Sequence, residues 1–242
     1  MKLEVLGVEG LPEIREGDDL TELIAGAARL EDGDVVCVAH KIVSKAEGRV
    51  VRLDGVEPSE RARELAGRDG DPRRLEVVLR ESARVVRARP PLVIAETKHG
   101  FVCASAGVDA SNAPEADMVV LLPEDPDASA ARLRAGLERL TGRSLGVLVT
   151  DTFGRPWRVG IANVAIGAAG IEVLRDLRGV RDPAGYELNA TVIALADEIA
   201  AAAELVMGKT ERMPVAVVRG LDVRGDGTAR ELVIPAELDL FR

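Results

Sequence analysis

Three groups of residues in this chain have types and spacings that suit phosphoryl chemistry. The first is Thr150-Asp151-Thr152, which comes after an apolar run, Leu145 to Val149, predicted as a buried strand. A strand that stops at an acid flanked by two hydroxyls presents hard oxygen ligands to a cation. The glycine-rich stretch behind it carries Arg155, Arg158 and the chain's single tryptophan, Trp157. Either arginine is a candidate catalytic residue, because a guanidinium meets the oxygens of a phosphate or carboxylate in bidentate fashion. The same residues also suit a polar turn in which Asp151 caps the adjoining segment.

The second group is Ser105-Ala106-Gly107-Val108-Asp109-Ala110-Ser111-Asn112, predicted as another acid-bearing strand end. Its small residues let the backbone approach a ligand, and Asp109 with Asn112 supplies oxygen donors. An Asx turn before Pro114 is the alternative. Two strand-end acids, Asp109 and Asp151, can converge on one sheet edge and share a metal. The third group is His40-Lys41-Ile42-Val43-Ser44-Lys45, just beyond a predicted strand. Its two lysines, four residues apart, could hold a polyphosphate, although loop lysines are most often solvated charge. Divalent metal, lysines and arginines together are the usual equipment of phosphoryl transfer.

Other motifs are weaker. Gly208-Lys209-Thr210 looks like the end of a phosphate-binding loop, but that motif needs a glycine where Ala203 stands, a strand before it and a helix after it. Here it closes a predicted helix, where glycine and lysine suit the C-terminus. No dinucleotide-binding glycine pattern comes after the early strand. Two cysteines, Cys37 and Cys103, and two histidines are too dispersed for a zinc cluster. Glu96 and His99 could form an acid/base pair, but a histidine beside a hairpin glycine more often lies at a surface turn. Asp176, Arg178, Asp182 and Glu187 read as a charged surface loop.

The elements that must position these residues read as α/β or α+β, since strand-like runs alternate with helical patterns. Asp34–Ala39 and Pro214–Val218 are buried strands by their apolar runs. Leu92–Glu96 and Phe101–Ser105 form a hairpin around Lys98-His99-Gly100. Helices are expected at Ser59–Ala66, at Asp71–Glu81 with an Asp-Pro start, and at Ala128–Leu140 before Gly142. The longest helix is expected at Asn189–Met207, and a last strand around Leu232–Ile234. The 242 residues suffice for one large domain, or two subdomains divided near Pro123 or Arg143. Hydrophobic residues make up 47% and charged residues 30%, an ordinary globular balance, while aromatics at 2% leave the core to Val, Leu, Ile and Ala. A formal charge of -9 disfavours a nucleic-acid partner. The acidic N-terminus lacks a secretory signal and no stretch suits a membrane span, so the expected location is cytoplasmic, with reduced cysteines.

Six blocks in order, GLPEI (Gly10 to Ile14), AHKIVSKAEGR (from Ala39), DPRRLEVVLRES (from Asp71), ETKHGFVCASAGVDASN (from Glu96), VTDTFGRPWRVGIANVAIG (from Val149) and AAELVMGK (from Ala202), resemble the coenzyme F420-0:L-glutamate ligase family across essentially the whole chain. The resemblance implies a two-part α/β fold that dimerises, with a cleft near the interface. It also implies a GTP-dependent enzyme that joins L-glutamate to the deazaflavin coenzyme F420-0. By this resemblance Leu11, Pro12, Glu13, Ile14, His40, Lys41, Lys45 and Asn112 bind GTP, with a further nucleotide segment from Met207, Gly208, Lys209 and Thr210 to Met213. Asp109, Asp151 and Thr152 match ligands of a pair of divalent cations, Mg2+ or Mn2+. Some members carry a glutamine after the Met-Gly of that last turn, contributing to the second metal; here it is Lys209, and an ammonium cannot ligate a cation. The resemblance further implies the stand-alone form, without a C-terminal nitroreductase-like domain, from the chain's end at Phe241-Arg242. Two rival readings fit the local motifs alone: a metal-dependent nucleotide phosphohydrolase, and a nucleotide-binding regulator without chemistry.

Overall fold

Five strands whose side chains alternate between two buried faces form the spine of the molecule, which the computed structural model describes over residues 2–240. In chain order the elements are β1 (Glu4–Gly7), α1 (Leu20–Ala27), β2 (Val35–Ala39), α2 (His40–Ala46), β3 (Val50–Arg52), α3 (Glu60–Ala66), α4 (Pro72–Glu81), β4 (Ser82–Arg89) and β5 (Leu92–Thr97). They continue with β6 (Val102–Ala104), β7 (Met118–Val120), α5 (Pro126–Thr141), β8 (Gly146–Arg155), β9 (Arg158–Ala169), β10 (Arg175–Asp176), β11 (Val192–Ile193), α6 (Leu195–Met207) and β12 (Val215–Arg219). The class is mixed α/β, as expected.

The main sheet runs β1-β12-β2-β8-β9. Its pairs are antiparallel except β2 with β8, which run parallel and place Val35 beside Gly146 and Ala39 beside Thr150. In β2, Val36 and Val38 face one layer while Val35 and Cys37 face the other, the two-residue period of a strand buried on both sides. On the first face Ile24 of α1 and Leu133 and Leu137 of α5 cover Val147, Val149 and Val217. Burying a side chain such as Ile24 or Leu137 contributes about 1.5–3 kcal/mol. On the second face α6 lays down Leu195, Ala196, Ile199 and Ala203, whose small side chains bring the helix close to the sheet. A third core, with Leu65 of α3, Val77 and Val78 of α4, Val93 of β5 and Val119 of β7, is built from residues 53–121.

Local signals account for several boundaries. Asp71 accepts the Arg73 amide at the start of α4, and Asp125 accepts the Ala128 amide at the start of α5, each helix having proline next. At Gly167 an added Cβ would collide with the Pro126 carbonyl, so glycine lets the N-terminus of α5 meet β9. Burial pushes the Cys37 and Cys103 thiols up to about 12, the Asp151 charge adding to this at Cys103, and both are free.

The structure departs from expectation at five places. The strand from Leu145 does not stop at Thr150; β8 loses its partner β2 there but continues to Arg155, because β9 pairs with it at Asp151↔Val164 and Thr152↔Asn163. The lysines after Ala39 lie on a helix, α2, whose Ile42 and Val43 are buried in the first core. Asp109 is not on a strand end but on an isolated bridge to Val120 after a short 3-10 turn at Ser105–Gly107. The helix expected from Asn189 begins at Leu195, its predecessor Val192–Ile193 pairing with β10, and at 13 residues it is shorter than the 16 of α5. The last strand is replaced by a 3-10 turn at Ala229–Leu232, where Thr228 and Glu231 form a reciprocal cap. The end of the chain at Phe241-Arg242 lies outside the described residues. No helix among the described residues is long and apolar enough to cross a membrane.

Candidate active site

The parallel pairing of β2 and β8 sets the geometry of the site. Ala39 lies opposite Thr150, so the next residues of each chain segment, His40 and Asp151, emerge side by side at the same rim of the sheet. His40 Nε2 is 3.2 Å from Asp151 Oδ1. The contact is off the line of a well-directed hydrogen bond, and Nε2 has no other partner among the described residues. Burial works to raise the Asp151 pKa, but electrostatic interaction and contact with His40, the Thr152 amide and the Lys41 charge outweigh it, so the carboxyl titrates below its usual range.

Around this pair opens a cavity of about 420 Å3, within the usual size range of small-molecule sites. Its floor is Thr150, Asp151 and Thr152 of β8 with Asn163 of β9. Asn163 is buried, and its Oδ1 accepts a hydrogen bond of 2.8 Å from the Thr152 hydroxyl. Helix α2 supplies Lys41 from its first turn and Lys45 from its last, four residues apart and therefore on one face. Lys45 is buried and donates to Glu13 Oε1 at 2.5 Å, tying the Leu11–Ile14 segment to α2. Lys41 reaches the other wall, donating to Ser111 Oγ at 2.5 Å and pairing with Asp109 Oδ2 at 2.7 Å. Burial tends to raise the Asp109 pKa; the Lys41 contact and the Ser111 amide overcome it and hold it low.

The far wall is the turn after α6. Gly208 has φ 58° and ψ -165°, a backbone conformation that glycine adopts without strain, and this lets the chain double back here. That reversal carries Lys209 over the cavity, where its ammonium donates to the Thr152 hydroxyl and lies 3.3 Å from Glu204 Oε1. Four cations line the cavity (Lys41, Lys45, Lys209 and Arg212) against three carboxylates (Glu13, Asp151 and Glu204). In a chain of net charge -9 this local reversal of sign favours an anionic ligand.

Leu11, Pro12, Glu13, Ile14, His40, Lys41, Lys45, Asn112, Asp151, Thr152, Met207, Gly208, Lys209 and Thr210 therefore share one cavity. Asp109 stands behind Lys41 rather than in the lining. Arg155 and Arg158 are not brought there: they sit at the exposed tip of the β8–β9 hairpin, where Arg155 donates to the Val159 carbonyl. Glu96 and His99 are also elsewhere, Glu96 paired with Arg84 and His99 stacked on Phe101. Sequence reasoning missed Asn163 and Glu204. The first is a lone amide in an apolar strand and the second a lone acid near the end of an alanine-rich helix, signals that had no partner until the fold supplied one.

Residues 10–220 match the family described as F420-0:Gamma-glutamyl ligase. The chain belongs to this family. Similar proteins named Coenzyme F420:L-glutamate ligase extend along the full chain. One from Methanopyrus kandleri is 50% identical, with 99% of each chain covered. One from Archaeoglobus fulgidus is 48% identical, covering 100% of this chain and 97% of its own. A third, from Methanothermobacter thermautotrophicus, is 43% identical over both full lengths. The F420-0:gamma-glutamyl ligase match starts at Gly10 and ends at Gly220, so it takes in every segment that lines the cavity.

A divalent cation can be tested against the donors on this family member's rim. Asp109, Asp151 and Thr152 offer only hard oxygens, the chemistry of Mg2+ or Mn2+ rather than of zinc. Among the described residues no three His, Cys, Asp or Glu side chains gather closely enough to hold a metal alone. An ion of the Mg2+ type takes one or two carboxylates and completes its shell with water and substrate phosphate. The two carboxylates, Asp109 and Asp151, fit one such ion. For a second the donors fit poorly, because the Lys209 ammonium already occupies the Thr152 hydroxyl.

Proposed function

We propose that this protein is a GTP-dependent ligase that joins L-glutamate to the lactyl carboxylate of coenzyme F420-0. The single observation that carries the reading is the shared cavity, in which cationic and hard-oxygen residues from distant segments meet at the rim of β2 and β8. The names of the full-length relatives supply the substrates.

In this reading the lysines bind the triphosphate, Lys41 and Lys45 as point charges fixed one turn apart on α2. A divalent cation held by Asp109 and Asp151 would neutralise charge on the transferring phosphoryl group. A carboxylate oxygen of the acceptor displaces GDP from the γ-phosphorus, giving an acyl phosphate. The α-amine of glutamate then attacks the acyl carbon; it loses one proton, phosphate departs with the C–O bonding pair, and an amide bond remains. Further glutamates join through γ-linkages. Asn163 accepts a hydrogen bond from the Thr152 hydroxyl and so fixes that hydroxyl with its lone pairs toward the cavity. The active form is a homodimer; in support, the β8–β9 hairpin carries apolar residues in open solvent, Val159 at 100% and Ile161 at 60% exposure, beside Trp157.

Mass spectrometry of products formed from F420-0, L-glutamate and Mn2+ with GTP tests the assignment. A product heavier by one or more glutamyl residues, with GDP released in step, is expected. GTP hydrolysis at the same rate without glutamate and F420-0 would refute it, and the same ladder with ATP alone would remove the guanine preference.

A further inference from the structure

Given the metal-dependent phosphoryl transfer proposed for this site, we infer that Lys209 takes the place of a second divalent cation, so that the chain works with one metal ion per site. The ammonium of Lys209 donates to the Thr152 hydroxyl and lies 3.3 Å from Glu204 Oε1. These are the two kinds of oxygen, hydroxyl and carboxylate, that a hard cation would otherwise take. The Thr152 proton is already committed to Asn163, so its lone pairs face the cavity and one of them receives Lys209. A metal ion bound to the same hydroxyl would share that oxygen with a fixed positive charge at contact distance. Asp151, next in the chain and held by His40, stays available to the first ion.

The position is built into the backbone. Glycine at 208 reverses the chain after α6, and Glu204, one turn before the end of that helix, steadies the ammonium from its own side. Lys209 remains 54% exposed on its side chain, so it can track a phosphate oxygen without leaving Thr152 far behind. A tethered ammonium neutralises phosphate charge as a point charge and needs no ligand exchange, which a second metal would.

The test counts metal ions directly. Crystals of wild type, Lys209→Gln and Lys209→Arg grown with Mn2+ and the non-hydrolysable analogue GMPPNP are measured for manganese anomalous scattering. One peak beside Asp109 and Asp151 is expected for wild type and Lys209→Arg, and two, the second beside Thr152 and Glu204, for Lys209→Gln. In solution the ligation rate should be first order in free Mn2+ for wild type and Lys209→Arg, and approach second order for Lys209→Gln. Two peaks in wild type, or an unchanged single peak in Lys209→Gln, overturns the inference while leaving a metal-dependent ligase standing. No manganese peak in any of the three removes the metal reading of the site and this inference with it. Lys209→Arg, which keeps the charge, separates a lost cation from a disturbed turn.

Discussion

Lys45 is buried, with 6% of its side chain exposed, while its partner Glu13 is 70% exposed. That asymmetry separates the stability of the ion pair from its use. A glutamate mostly in water loses little when its partner goes, and a surface pair contributes about 0–1 kcal/mol. A buried ammonium facing an incoming phosphate has far more to give, about 1.5–3 kcal/mol for a charge-assisted hydrogen bond. Lys45→Met, which keeps the aliphatic stem, should therefore leave the melting temperature nearly unchanged. It should weaken GTP binding by about ten- to a hundredfold. Calorimetric titration with GTP checks the affinity and a thermal melt checks the stability; equal affinity would remove Lys45 from the phosphate site.

At the level of elements, Asp34 joins three pieces of backbone. Its fully buried carboxylate receives Arg219 at the end of β12 through two bonds of 2.8 Å, and the Glu31 amide of the α1–β2 connection at 2.7 Å. Arg219 also donates to the Arg29 carbonyl. Removing one partner of a buried pair strands the other, at a cost of about 3–5 kcal/mol. Asp34→Ala should lower the melting temperature by on the order of 10 °C, and Asp34→Asn, which keeps an acceptor for Glu31, by less. Thermal unfolding monitored by circular dichroism distinguishes them. Elements with a strong local signal were legible in the sequence: the apolar runs of β2 and β12, the Asp-Pro start of α4, the glycine after α5; α5 itself begins at Asp125-Pro126, ahead of the expected Ala128. Others depended on partners that local pattern does not reveal. The outer half of β8 is a strand because β9 lies against it, and its Thr-Asp-Thr looks like a turn without that neighbour. Ser82–Arg89, which includes Arg84, Arg87 and Arg89, carries no apolar stripe, yet it pairs with β5 along its length. The stretch before Leu195 continues an apolar pattern but is held away from the helix by β10. For the site, the charged residues were readable as types, whereas Asn163 and Glu204 became visible only when the hairpin and α6 closed around Thr152.

Across the whole molecule, the β8–β9 hairpin extends past the rim of the sheet and exposes Val159 and Ile161 on its outer end. Replacing both with serine should convert a dimer to a monomer in sedimentation velocity without lowering the melting temperature of the isolated chain. A wild-type protein that sediments as a monomer at micromolar concentration would remove the homodimer from the proposed function. The order of the sheet has a different consequence. β12, the last strand in the described chain, lies between β1 and β2 rather than at an edge, and Pro214 just before it accepts the Ala39 amide beside the cavity. A chain still emerging from the ribosome thus holds β1 and β2 with a gap between them until nearly all of its length has been made. During that interval two unpaired strand edges stand open, and the long-range contacts that close them form late. Synthesis and competence are thereby linked: a product cut short before Val215 leaves β1 without its neighbour and the rim of β2 unsupported. Such a fragment should be cleaved faster by protease than the full chain and should lack ligase activity.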